Sequence, residues 1–302
     1  MKVHEKHAGE EFNELYFYLP SYWDLNDLEN TSMNWVFVWL EKLKNHVISK
    51  NSWFGNGHTI STGNPLRPLS DKMLQNHFIM AHPYSIAIQK VFVAHKNVTV
   101  AKGAKAYLLN QFEFYGIKTP IRRKLSKDFY KAHPIKNHTE LTAVIKECFA
   151  APQREMHYFA IELLGYHKKL WSKQTISLIE WIITHKSWWD SVDSTNSYVI
   201  GKFFVQFPEY IKPTTSKWNK STNIWLQRMS ILFQLMYKDK TDTKLLTNYI
   251  EHCQLEEEFF IRKAIGWALR AYAYTDAKWV KAFIKTHPHL SNLSKREALK
   301  HQ

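Results

Sequence analysis

The spacing of three residues constrains the fold of this chain more than any other feature. Trp189, Arg228 and Trp267 are separated by 39 residues and again by 39 residues. Each lies in a segment with helical character: SWWDSVD, NIWLQR and AIGWALR. A period near 40 residues is typical of stacked helix pairs, in which equally spaced residues occupy equivalent places on successive repeats. We therefore expect these three side chains along one wall. The alternative is coincidence, because the chain contains 12 tryptophans.

The sequence from about residue 85 onward has the periodicity of helices, and no run of strand length alternates within it. After Pro152, the apolar residues from Met156 to Leu164 recur on one helical face. Acidic or hydroxyl residues suit helix starts because they satisfy free backbone N–H groups. We place such starts at Ser187, Ser221 and Glu256–Glu258, breaks at Pro208 and Pro213, and an end at Pro288. The prediction is a mainly all-α, HEAT-like helical repeat solenoid over residues 85–302.

Residues 1–84 have a different character. ELYFYLPSYW (14–23) is aromatic with an extended pattern, residues 34–48 could form one helix, and residues 51–68 read as loops and short strands. We expect a small α/β or irregular segment here, separate from the helical domain.

The charge of the chain is concentrated in the helical part. The formal net charge is +14, yet residues 1–84 carry 7 basic and 9 acidic side chains, so residues 85–302 carry a balance of +16. Such a field attracts polyanions. Aromatic residues, at 15%, add stacking surface, which favours nucleic acid over generic solubility or adhesion to anionic lipid.

Several other classes of protein are excluded or disfavoured by the sequence. No apolar stretch approaches the roughly 20 residues that cross a bilayer, and the N-terminus lacks the apolar core of a signal peptide. Cys148 and Cys253 make neither a disulfide framework nor a metal site, and we expect buried thiols in a reducing cytoplasm. P-loop, HExxH, GxSxG and paired CxxC motifs are absent from the sequence.

The predicted helix WWDSVD carries two carboxylates that are expected to have different roles. If Ser187 caps this helix, Asp190 falls at the third helical position, where a carboxylate helps to cap. Asp193 lies more than a turn into the helix, on one face with Trp189. A carboxylate on a face that should be apolar indicates a functional group, or alternatively a structural salt bridge to Lys or Arg.

Arg228 and Trp267 complete the candidate site. Arg228 precedes an apolar run, and a partly buried guanidinium typically binds a carboxylate or a phosphate in a fork. Gly266, beside Trp267, would leave room for close approach, although Trp267 could be an ordinary core residue. Two indoles, a carboxylate and an arginine on a basic wall suggest a site for a cationic alkylated purine, because indole faces bind cations. The carboxylate would stabilise the oxocarbenium-like sugar left by the departing base, while the arginine holds a backbone phosphate.

Residues from about 86 to 301 resemble the AlkD-like DNA alkylation repair glycosylases, which are HEAT-repeat proteins. The similar segments include FEFYGIKTPIRRKL (112–125), HKSWWDSVDS (185–194), NIWLQRMSILFQLMYKDKTD (223–242), EEFFIRKAIGWALRAYA (257–273) and LSNLSKREALK (290–300). The resemblance implies that Asp193, Trp189 and Trp267 form the catalytic cleft, and that Arg228, Tyr107 and Arg270 contact DNA. It implies release of 3-methyladenine and 7-methylguanine from duplex DNA without a metal or cofactor. It also implies that a final helix present in many members is missing after residue 302.

Residues 12–83 resemble part of the suppressor-of-fused-like domain, through ELYFYLPSYW, the following helix and NSWFGNGHTI. That resemblance implies a protein partner rather than chemistry, and turn packing is the expected role of Trp53 and His58.

Three functions remain open at this point. The first is a monofunctional DNA glycosylase acting in base excision repair, a monomer in the cytoplasm associated with the nucleoid. The second is a non-catalytic HEAT-repeat binder of distorted or branched DNA, which has no need for a carboxylate at the lesion. The third is a protein-interaction scaffold, which the high positive charge disfavours.

Overall fold

A computed structural model of the protein describes residues 82–300, which divide after Thr119 into two compact units. The predicted elements at 14–23, 34–48 and 51–68, like Trp53 and His58, lie outside the described residues. The predicted domain boundary between residues 84 and 85 falls at their edge and stays a prediction.

The described part of the first unit is a helix pair followed by an extended segment. Helix α1 spans Pro83–Ala94 and α2 spans Val98–Tyr107. Asn97 caps α2, its side chain accepting a hydrogen bond from the backbone N–H of Val100 at 3.0 Å. Gly116 has a φ of +84°, and a Cβ there would lie 2.0 Å from the carbonyl oxygen of Asn97, so only glycine fits.

The second unit is a succession of helices. They are α3 (Thr119–Ala132), α4 (His138–Ala150), α5 (Arg154–Tyr166), α6 (Thr175–Thr184), α7 (Trp189–Thr195), α8 (Gly201–Gln206), α9 (Ile211–Asn219), α10 (Ile224–Leu232), α11 (Thr243–Cys253), α12 (Phe259–Ala273), α13 (Ala277–Thr286) and α14 (Asn292–Ala298). A π-helical turn, Asn196–Ile200, joins α7 to α8. No β-strand occurs between residues 82 and 300, which confirms the all-α prediction for that part of the chain. None of its helices is both long and apolar enough to span a membrane.

The helices of the second unit form two rows. The first row runs α5, α7, α10, α12 and α14, with each helix packed on the next. The second row contains α4, α6, α9, α11 and α13, and α4, α6, α9 and α13 pack respectively on α5, α7, α10 and α12. Each helix pair thus buries its apolar faces only by stacking on its neighbours, which is the organisation of a helical repeat protein.

Polar contacts between successive repeats span a number of residues close to the period of 39 seen in the sequence. The amide of Asn196 donates to the carbonyl oxygen of Leu232, 36 residues further on, at 2.8 Å. The hydroxyl of Tyr237 donates to the carbonyl oxygen of Gly201, again 36 residues away, at 2.9 Å. The repeat therefore has a structural basis and is not a coincidence of tryptophan positions.

Two helix starts and one chain break differ from the prediction. Trp188, not Ser187, is the N-cap of α7, and the Ser187 hydroxyl donates to the carbonyl oxygen of Ile183 at 2.6 Å. Asn223, not Ser221, caps α10 with its side chain. Pro213 lies inside the first turn of α9 and does not break the chain, because a first turn needs no donor from its N–H.

Helix α5 is buried far more completely than a single apolar face would require. Every residue from Arg154 to Leu164 is buried, and Arg154 and His157 are both 0% exposed. Helix α5 packs on α4, on α7 and on the π turn, so little of its surface reaches solvent. Burying an arginine and a histidine this deeply demands specific partners. Those of Arg154 lie at the start of α7, whereas His157 binds Arg154 and the carbonyl oxygen of Ala151.

Candidate functional site

The start of α7 is fixed by Arg154, which lies on α5. Its Nε and Nη2 donate to Oδ2 and Oδ1 of Asp190 at 2.7 and 2.8 Å, and its Nη1 donates to the carbonyl oxygen of Lys186 at 2.6 Å. Lys186 has a φ of +49°, an uncommon conformation for a residue with a side chain. Arg154 therefore holds the turn that leads into the two adjacent tryptophans.

Asp190 does not have the capping role predicted for it. It is 2% exposed and accepts both N–H groups of the Arg154 fork, together with the hydroxyl of Tyr158 at 2.6 Å. The prediction was wrong because the helix begins one residue later than expected, and because a buried cation on α5 faces the carboxylate. Its role is to join two repeats.

His157 completes this buried network as a neutral ring. Its Nε2 lies 2.9 Å from the carbonyl oxygen of Ala151, which can only accept, so Nε2 carries the proton. Nδ1 then accepts from Nη1 of Arg154 at 3.1 Å. Burial and the adjacent guanidinium lower the pKa of His157 to about 4, because a second ring proton would point at a cation.

Asp193 forms a second buried ion pair, this time with Arg228 on α10. Nε and Nη2 of Arg228 donate to Oδ1 and Oδ2 of Asp193, both at 2.8 Å, and Nη1 donates to the carbonyl oxygen of Phe260 at 2.6 Å. The side chains are 1% and 4% exposed. Burial raises the pKa of Asp193, and the charge of Arg228 opposes that rise.

This geometry changes the roles expected of the two residues. The structural salt bridge considered as an alternative for Asp193 is present. The fork of Arg228, expected to hold a backbone phosphate, holds that carboxylate instead. Asp193 and Arg228 therefore form one buried unit in the structure.

The two indoles of the predicted site lie on α7 and α12, the helices that precede and follow α10 in the first row. Trp267, which is half-buried on α12, has its ring centroid 5.7 Å from Cζ of Arg228, within the range of a cation–π contact. Trp189 is 9% exposed and precedes Asp193 by one helical turn on α7. The 39-residue spacing thus brings Arg228 and Trp267 together on adjacent helices.

Gly266 and Arg270 face α14. A Cβ at Gly266 would lie 2.5 Å from Cβ of Glu297 and 2.8 Å from the carbonyl oxygen of Ser294. The close approach expected at Gly266 is thus present, and the element that approaches is α14. Nη1 of Arg270 donates to Glu297 at 3.1 Å, and Lys263 pairs with the same carboxylate at 2.9 Å.

Tyr107 belongs to the first unit, where it is the last residue of α2 and half-buried. The other five predicted site residues belong to the second unit. Within residues 82–300, no three His, Cys, Asp or Glu side chains are grouped so that they could hold a metal ion.

Sequence reasoning missed an aromatic cluster beside the Asp193–Arg228 pair. The ring of Trp188 packs edge-on against Trp225 and Phe260, with centroids 5.8 and 5.3 Å away, and Trp225 lies 4.9 Å from Phe260. The same Phe260 supplies the carbonyl oxygen that binds Arg228. The adjacent tryptophans in the sequence were a signal for this cluster, and the charged Arg154 in an apolar helix was a signal for the network behind it.

A buried carboxylate, an arginine and indole rings can act together on a flat cation. The carboxylate stabilises positive charge that develops close to it, and its effect is stronger where water is excluded. Indole faces attract a cation through the ring quadrupole. The arginine keeps the carboxylate in one orientation, because a bidentate pair fixes both groups.

Comparisons with known proteins identify the family of the chain. The family model described as DNA alkylation repair enzyme matches residues 88–302, and the model of the suppressor of fused protein matches residues 1–107. No curated protein matched the chain. A solved structure named "Predicted DNA alkylation repair enzyme from Enterococcus faecalis" is 33% identical, with a TM-score of 0.65, and the match covers 68% of this chain and 96% of the other. The chain therefore belongs to the DNA alkylation repair enzyme family.

Proposed function

We propose that the protein is a monofunctional DNA glycosylase that hydrolyses the N-glycosidic bond of N3- or N7-alkylated purines in duplex DNA. The observation that carries the proposal is Asp193, a buried carboxylate held by Arg228 and preceded by Trp189 one turn earlier. Family membership supplies DNA alkylation repair as the setting. The substrates would include 3-methyladenine and 7-methylguanine, and the reaction would initiate base excision repair.

The chemistry needs few groups because the lesion is already charged. Alkylation at N3 or N7 gives the purine a positive charge, so breaking the bond between C1′ and the base nitrogen returns the electron pair to a base that leaves neutral. Water attacks C1′ and loses a proton to solvent. The sugar carries positive charge in the transition state, and a carboxylate close to it lowers the barrier electrostatically.

In this proposal the side chains have distinct roles. Trp189 and Trp267 contact the cationic base through their indole rings. Asp193 stabilises the sugar cation, and Arg228 is a positioning residue that fixes Asp193 and contacts Trp267. Tyr107 and Arg270 are proposed DNA contacts on the basis of the family resemblance, although Arg270 already donates to Glu297.

The second candidate function is a non-catalytic binder of distorted or branched DNA. The Asp193–Arg228 pair itself favours it, because an ion pair between two repeats gives the carboxylate a structural reason to exist. The ion pair alone therefore fits either function, and the position of Asp193, one turn after Trp189 and paired with the arginine that contacts Trp267, is what favours the enzyme. Both functions make duplex DNA the partner and place the protein with the nucleoid.

A base-release assay on the full chain separates the two candidates. Duplex DNA methylated at N7 of guanine is incubated with the protein, and the free 7-methylguanine is quantified by chromatography while binding is measured in parallel. We expect release well above the spontaneous rate. Tight binding of the methylated duplex with no added release would contradict the glycosylase proposal and support the binder.

A further inference from the structure

A cluster of cations surrounds Tyr198, away from the Asp193–Arg228 pair. Tyr198 lies in the π-helical turn between α7 and α8. Cζ of Arg123, on α3, lies 5.8 Å from the centroid of its ring, and Nζ of Lys202, on α8, lies 5.9 Å from it. One aromatic ring therefore contacts two positive charges that come from different helices.

The carboxylate in this cluster is already engaged. Glu162 binds Arg122 through both oxygens, at 2.8 and 2.9 Å, with the side chains 9% and 4% exposed. Burial and the nearby charge of Glu162 raise the pKa of Tyr198. Arg123 approaches the same carboxylate only to 3.6 Å, and 35% of its side chain is exposed. Glu162 therefore neutralises Arg122 and leaves the charge of Arg123 largely unbalanced.

Lys168 adds a further positive charge next to Lys202. Lys168 follows the C-terminal end of α5 and is exposed, as is Lys202. Partial burial lowers the pKa of Lys202, and repulsion from the nearby charge of Lys168 contributes to that lowering. Four cations and one carboxylate give this cluster a charge of +3. An anion bound between them would relieve that repulsion.

We propose that Arg123, Lys168 and Lys202 bind backbone phosphates of duplex DNA. The inference rests on the proposed function only for the choice of DNA as the anion. Lys202 follows Asp193 by nine residues in one nearly continuous helical run, about 13 Å along its axis. Phosphate contacts at this distance would set the register of the duplex relative to Asp193.

The salt dependence of DNA binding tests the proposal. The triple variant Arg123→Gln/Lys168→Gln/Lys202→Gln and the unchanged protein are titrated with an undamaged duplex at several salt concentrations. The slope of log K against log salt is negative, and each lost phosphate contact makes it shallower by about 0.9. We therefore expect the slope of the triple variant to be shallower than that of the unchanged protein by about two to three. An unchanged slope would overturn the proposal.

A matched control removes the same charge from the second row of helices. Lys146, Lys217 and Lys244 are exposed on α4, α9 and α11. The variant Lys146→Gln/Lys217→Gln/Lys244→Gln should keep the slope of the unchanged protein. If both triple variants reduce the slope equally, net charge is responsible and the cluster is not a site. If the cluster variant instead loses binding only to vesicles of anionic lipid, the cluster recognises a membrane surface and the proposal is wrong.

This experiment is independent of catalysis, because the duplex carries no lesion. A reduced slope with no base release by the unchanged protein would leave the phosphate site in place and remove the glycosylase proposal. Base release with an unchanged slope would support the glycosylase proposal and remove the phosphate site.

Discussion

The two buried ion pairs of α7 provide an internal control for the role of Asp193. Asp193 pairs with Arg228 on one side of the helix, and Asp190 pairs with Arg154 on another. Both pairs are bidentate, and their four side chains are between 0% and 4% exposed. The variants Asp193→Asn and Asp190→Asn therefore remove the same charge from similar surroundings three residues apart.

The two substitutions should cost similar amounts of stability. Removing one partner of a buried ion pair leaves the other charge uncompensated, which costs about 3–5 kcal/mol. Asp190 also accepts a hydrogen bond from Tyr158, so its variant should fall at the upper end of that range. Chemical denaturation of each variant measures this loss of stability. The measured stabilities then show under which conditions both variants remain folded.

The two substitutions should have very different effects on catalysis. If Asp193 stabilises the sugar cation, Asp193→Asn lowers the single-turnover rate of base release by about 10²–10³, the usual loss for an electrostatic catalytic group. Asp190→Asn should retain most of the rate under conditions where both proteins are folded. Equal rate losses in the two variants would show that Asp193 only joins repeats, as Asp190 does, and would refute the catalytic role.

Two further predictions follow from contacts around the site. The pKa of His157 is lowered to about 4 in the folded protein against 6.5 when unfolded, so the unfolded state binds more protons in that interval. The contribution of His157 to the free energy of unfolding is complete above about pH 7 and is lower by about 2 kcal/mol at pH 5. Denaturation of His157→Gln should therefore show a shallower dependence of stability on pH than the unchanged protein. An identical dependence would contradict the neutral ring. The variant Gly266→Ala should lose about 1–3 kcal/mol, because the added methyl group meets Glu297 and Ser294 on α14. An unchanged melting temperature would mean that α14 does not pack closely there.

The sequence predicted the architecture because the relevant signals are local or periodic. Helical periodicity identified the second unit as all-α, and the 39-residue spacing identified Arg228 and Trp267 as neighbours. Asp193 stood out because a carboxylate on an apolar face has no local explanation. These features need only the chain itself and the geometry of a helix.

The pairing of charges could not be predicted in the same way. Asp190 and Asp193 lie in one short motif, yet their partners are 36 and 35 residues away in opposite directions along the chain. Which cation meets which carboxylate depends on how adjacent helices rotate and slide, and a one-residue shift at the start of α7 changes that result. The close contact at Gly266 could not be predicted for the same reason, because the residues that fill the space there belong to α14.

Comparing a charged lesion with a neutral one tests the central claim most directly. Single-turnover release is measured from two otherwise identical duplexes, one containing 7-methylguanine and the other containing hypoxanthine. If the charge of the base drives its departure and Asp193 stabilises the sugar, only 7-methylguanine is released. Release of hypoxanthine at a similar rate, or no release from either duplex, would contradict the account.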